Sequence, residues 1–154
     1  MAEPVNMMNL VSELPRRRRG RACMVLTHNH AGQKSWAEKL AEKTDSDHIN
    51  LLDHFTADRD LSAKVGSFSV KDLFDLLEQQ KDKDVLIVSG IEFLKAAWSG
   101  QTTISQQFAS MVSTWTKTPS LLFVIQYDKQ LAEYKFTSRF QYTFLVDQKE
   151  TLAI

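Results

Sequence analysis

The chain has 154 residues, 43% of them apolar and 25% charged, enough for one packed core without a staple and incompatible with wholesale disorder. Lysines plus arginines and aspartates plus glutamates both total 19, so the whole molecule has no net charge to attract nucleic acid or a membrane. The single cysteine, Cys23, excludes an internal disulfide framework and fits a reducing compartment.

Residues 1–14 carry Glu3 and Glu13 and no basic residue, the reverse of a secretory leader. No apolar run nears the ~18 residues of a membrane span, and a cytoplasmic protein is expected. Met7 to Val11 is a short amphipathic stretch suited to capping a sheet edge or docking on a partner. Arg16, Arg17, Arg18, Arg19 and Arg21 then form the chain's one compositionally biased run. Such a run is by default a solvated linker, and its alternative use is salt-sensitive contact with DNA, RNA or an acidic partner. On this reading residues 1–21 are an N-terminal segment and basic linker, and 22–154 are the core.

Ala22 to Thr27 is an apolar run bounded by polar residues, the pattern of a buried parallel strand. A polar loop, His28 to Gln33, leads into a helix over Lys34 to Lys43, with Trp36, Ala37, Leu40 and Ala41 on one face. His48 to Leu52 reads as a second strand. Ser69 and Asp72 make a capping-box-like start for a helix that places Val70, Leu73, Phe74 and Leu77 together. Val85 to Val88 is the third strand. Gln101 to Lys117 reads as a helix with Ile104, Phe108, Met111, Val112 and Trp115 inward, and Pro119 closes it. Leu121 to Ile125 and Tyr142 to Val146 complete five strands. Strands alternating with helices imply a parallel sheet covered on both faces, a three-layer α/β domain. Trp36, Trp98 and Trp115 read as core, with Trp98, beside Ser99 and Gly100, the best candidate among them for an exposed contact.

The chemistry-bearing residues cluster after the strands. The strand ending at Thr27, the loop His28, Asn29, His30, Ala31, Gly32 and Gln33, and the helix opened by Lys34 and Ser35 have the layout of a phosphate-binding loop. In such a loop, backbone N–H groups cradle phosphate, the lysine reaches the outer phosphates and the hydroxyl binds Mg²⁺. The glycines of the full motif would fall at His28 and Gln33, and Gly32 lies one position early. His28 and His30 also make a His-x-His pair, but no neighbouring Cys or carboxylate completes a metal site, and a polar loop is the simpler account.

Together with the run Asp84 to Leu94 and the run Phe136 to Phe144, this loop resembles the AAA+ ATPases, nearest to their replication-initiator and helicase-loader branch. The resemblance spans about Ala22 to Val146 and implies a P-loop NTPase-like core with a five-stranded parallel sheet. The family's helical lid would follow the fifth strand, where this sequence stops at Ile154, so no lid is expected. In the family, two acids end the third strand; here the frame Val85 to Leu94 is kept but those positions are Ser89 and Gly90. Gln126 falls at the family's sensor position, and Arg139 of Ser138-Arg139-Phe140 matches the arginine finger that reaches a neighbour's ATP site. Glu92 is the one acid near enough to be considered as a substitute.

The resemblance implies ATP or ADP with Mg²⁺ as the cofactor, if any, over His28 to Ser35, and a protein partner or self-association. Loss of both acids removes Mg²⁺ positioning and water activation, so weak or no hydrolysis is expected. The leading expectation is an assembly or regulatory subunit lending Arg139 in trans. Small proteins of this build resemble accessory subunits of phage-defence, transposition and replication operons. The alternatives are a nucleotide-binding switch or slow ATPase using Lys34 and Ser35, and a DNA-binding adaptor working through Arg16–Arg21.

Overall fold

The structure, a computed structural model, describes residues 6–18, 20–28, 32–80, 82–98, 103–136 and 141–146. Five strands form one sheet: β1 (Ala22–Thr27), β2 (Asp47–Asn50), β3 (Val85–Ser89), β4 (Ser120–Gln126) and β5 (Thr143–Leu145). Every neighbouring pair is parallel, and the order across the sheet is β2-β3-β4-β1-β5. The central strands β1, β3 and β4 are buried on both sides, which is why their sequences run almost unbroken through apolar residues.

Alternation along the strands divides the core in two. Cys23, Val25, Ile87, Leu122 and Val124 face α1 (Met7–Glu13) and α2 (Gln33–Thr44), through Met7, Leu10 and Val11 of α1 and Trp36, Ala37, Leu40 and Ala41 of α2. Met24, Leu26, Leu86, Val88, Phe123 and Ile125 face the other way, toward the remaining helices. These are α3 (Leu51–Ala57), α4 (Arg59–Ala63), α5 (Val70–Glu78), α6 (Glu92–Ala97), α7 (Ile104–Ser113) and α8 (Lys129–Ala132). The molecule is thus α/β with an all-parallel five-stranded sheet and helices on both faces.

Where α1 packs on α2 and the sheet, Leu14 and the short 3-10 turn Leu14–Arg16 continue the same buried face. Residues 6–18 therefore pack with the core, beside the expected division at residue 21. Arg17 donates to the Gly20 carbonyl at 3.3 Å and pairs with Glu13 at 3.7 Å.

Several expected boundaries move for identifiable reasons. The second strand stops at Asn50 rather than Leu52, because the Asn50 side chain accepts the Asp53 N–H at 3.0 Å and caps α3. The predicted capping box is formed: Ser69 Oγ accepts from the Asp72 N–H, and Asp72 accepts from the Ser69 N–H. Among the described residues of the long predicted helix, α7 ends at Ser113 rather than Lys117. There the Thr114 hydroxyl takes the Ser110 carbonyl at 2.8 Å and the Trp115 indole donates to Pro119 O at 2.8 Å. Trp98 is core like Trp36 and Trp115, and the exposed-contact alternative falls: it is 3% exposed, and its Nε1 donates to the Phe68 carbonyl at 2.6 Å. Apolar packing on α6 and the hydrogen bond together hold it inside.

Candidate functional site

The C-terminal edge of the sheet is where this topology opens. The chain leaves β1 into α2 on one face and leaves β3 and β4 into α6 and α8 on the other. Adjacent strands whose connections diverge in this way leave a crevice between them, the usual ligand location in open α/β sheets. Thr27 of β1 lies beside Gln126 of β4, and Asn50 of β2 beside Ser89 of β3.

Three positions marked by the sequence meet at this crevice. Gln33, the first residue of α2, is 3% exposed, and its carboxamide lies against Glu92 on α6 and the backbone N–H of Gln126. With the amide oriented to satisfy both neighbours, its nitrogen donates to Glu92 Oε1 at 3.2 Å and its oxygen accepts from the Gln126 N–H at 3.1 Å. The Gln126 N–H also lies 3.0 Å from Glu92 Oε2. The Gln33 side chain thus fills the space between α6 and the end of β4. Gly32 is the N-cap of α2 and supplies no side-chain bond to its first turn.

Lys34 does not turn toward that crevice. Its Nζ lies 2.5 Å from Asp53 Oδ2 on α3, an exposed pair, and this hydrogen bond and charge raise the lysine pKa. Ser35 is exposed on the same first turn of α2. His28, at the end of β1, stacks on Tyr127 with ring centroids 4.6 Å apart and planes 22° from parallel. Asn29, His30, Ala31, Arg19 and Arg139 lie outside the described residues.

At the end of β3, Ser89 and Gly90 both meet the Asn50 side chain. Ser89 is fully buried, 2.7 Å from His48 Nε2 and accepting from Asn50 Nδ2 at 3.1 Å. Gly90 has φ +74°, and a Cβ there would lie 2.8 Å from both terminal atoms of the Asn50 amide. A side chain at Gly90 would press on the Asn50 amide, which caps α3. Burial lowers the His48 pKa, aided by Lys34, against the opposing pull of Glu38 and Asp53. Because Asn50 already donates to Ser89, the serine hydroxyl is free to donate to a neutral His48.

Sequence reasoning did not find the His48–Asn50–Ser89 cluster. Residues 48 and 50 alternate to the same side of β2, but only the pairing of Asn50 with Ser89 brings the third member to them.

Cys23 faces α1 and α2, and burial pushes its thiol up to about 12, against a small lowering by Arg17. It is an inert core residue. Arg21 and, before it, Arg16, Arg17 and Arg18 lie at the other end of β1 from the crevice, a strand of six residues or about 20 Å away. Arg16 and Arg18 are exposed, while Arg17 and Arg21 are half-buried. The basic run and the crevice are therefore separate surfaces. Among the described residues there is no cluster of three His, Cys, Asp or Glu suited to a metal ion, and no helix long and apolar enough to cross a membrane.

Comparison with protein-family models, curated proteins and solved structures found no match for this chain.

Proposed function

We propose that this chain is a degenerate AAA+-like P-loop protein that serves as an assembly or regulatory subunit and does not turn over ATP by itself. The observation that carries this reading is the end of β3. Ser89 is committed to His48 and Asn50, and Gly90 holds a left-handed backbone against Asn50, so neither position expected to hold an acid supplies a carboxylate for Mg²⁺ and water. Gln33 filling the space beside Glu92 and Lys34 turned to Asp53 support the same conclusion. The all-parallel sheet and the meeting of positions 33, 92 and 126 at one crevice support a P-loop-like ancestry. The subunit's chemical contribution is Arg139, offered to the ATP site of a neighbouring chain.

A second reading, a nucleotide-binding switch or slow ATPase, draws on Glu92, whose carboxylate reaches the crevice between β1, β3 and β4. In this reading ATP or ADP with Mg²⁺ would lie over residues 28–35 and require Gln33 and Lys34 to move. One experiment separates the two. Thermal melting of the purified chain with and without Mg-ATP, beside a phosphate-release assay, is expected to give no shift and no turnover. A ligand at 100-fold excess over its Kd would add about 2.7 kcal/mol of stability. A shift on that scale, or turnover near 1 s⁻¹, would favour the second reading.

A further inference from the structure

A cavity of about 140 Å³ lies on the other face of the sheet, between α6, α7 and the corner where β4 turns into α8. Its walls are apolar: Ile91, Trp98, Ile104, Phe108, Ile125 and Leu131. Protein interiors are packed to the density of organic crystals, and an apolar space of roughly 150 Å³ accepts a benzene ring. The size therefore fits one aromatic ring or a short branched alkyl group.

The rim decides what head group such a molecule can carry. Asp128 is occupied within the chain: its carboxylate pairs with Lys95 Nζ at 2.8 Å and caps the Gln130 and Leu131 N–H groups. Lys95 gives one of its three N–H donors to that pair. Gln130 Oε1 lies 2.8 Å from the Ser105 hydroxyl, which makes the amide nitrogen the donor it has left to offer. The mouth is thus rich in donors and balanced in charge. An anion would meet Asp128 and a cation would meet Lys95, so neither is favoured.

We propose that this cavity binds a small neutral molecule with a planar or branched apolar body and one hydrogen-bond acceptor. The inference is independent of the nucleotide question, because the walls and rim use none of residues 28–35, 89, 90 or 92.

The test is an NMR titration of the ¹⁵N- and methyl-labelled full chain with phenol, beside benzene and benzoate. Phenol is expected to give saturable shifts at the Trp98 indole N–H, with a Kd on the order of 1 mM or tighter. Intermolecular NOEs from its ring to the Ile125 and Leu131 methyls locate it without any variant. Benzene should bind more weakly and benzoate not measurably. Ile104→Trp, at the half-buried edge, should fill the space and abolish the shifts; Ile125→Phe serves if that chain does not fold. Lys95→Met should weaken phenol several-fold and leave benzene unchanged. Absence of saturable shifts, absence of those NOEs, equal binding of benzoate, or phenol binding that survives in a folded, filled variant each overturns the assignment.

Discussion

At the residue scale, Gly90 and His48 carry the sharpest consequences. Gly90 is held at φ +74° with the Asn50 amide where a side chain would start. The left-handed conformation alone costs an L-residue about 1–2 kcal/mol, and the 2.8 Å approach adds to it. Gly90→Ala is therefore expected to lower the unfolding free energy, read from urea denaturation, by at least that much, and Gly90→Asp by more. A Gly90→Asp chain as stable as wild type would show that an acid is sterically acceptable there. His48 supplies a pH dependence with a definite sign. Burial lowers its pKa in the fold, so below about pH 6.5 the unfolded chain holds more protons than the native one. Its contribution is complete above that pH and is lost as the pH falls toward and through the lowered folded value. In a comparison of denaturation midpoints at pH 7.5 and 5, His48→Gln should show a smaller fall than wild type. An equal fall would assign the acid sensitivity to other groups.

At the scale of elements, two short polar links tie helices to strand ends. Asn50 ends β2, caps α3 and donates to Ser89, so Asn50→Ala removes a helix cap worth ~1 kcal/mol and a hydrogen bond to a buried hydroxyl. The loss should exceed that of Asp58→Ala, a capping change on the exposed α4. Circular dichroism melts of the two variants make the comparison. Gln33 joins the start of α2 to Glu92 and to the end of β4. Gln33→Ala is expected to cost about 1–3 kcal/mol, the range for leaving a buried partner unsatisfied. A Gln33→Ala chain with unchanged stability would mean that the crevice does not depend on this clasp.

At the scale of the whole molecule, the proposed role rests on partnership. If Arg139 serves a neighbour's site, Arg139→Ala should leave the melting temperature nearly unchanged, a shift of under ~0.5 kcal/mol in stability, the usual effect of a side chain with no structural role. In a complex with an active ATPase, the same change should remove partner stimulation, because an arginine finger contributes roughly 10³–10⁵ in rate. An Arg139→Ala chain that melts many degrees lower, or that stimulates normally, would return this residue to a scaffold role.

What the sequence determined by itself is the set of central strands, the helix over Trp36 to Ala41, and the start of α5. Each rests on local signals: unbroken apolar runs, apolar spacing of three and four, and the Ser69–Asp72 box. Gln33, Glu92 and Gln126 were each marked separately in the sequence, but that they meet was not, since they stand at or after the ends of β1, β3 and β4. Asn50 as the stop of β2 was a local signal that the largely apolar run Ile49 to Leu52 masked, since Asn is a preferred N-cap and its bond to Asp53 spans three residues. Local signals could not show what satisfies the buried Trp98 indole, since its partner, Phe68, lies 30 residues away. The direction of the Gln33 and Lys34 side chains was likewise decided by the tertiary structure. One side chain goes to an acid on α6 and the other to an acid on α3, and both acids reach them only through the order in which the parallel strands assemble. Cross-strand register is a long-range property, and the cluster of His48, Asn50 and Ser89 exists only because β2 pairs with β3 in that register.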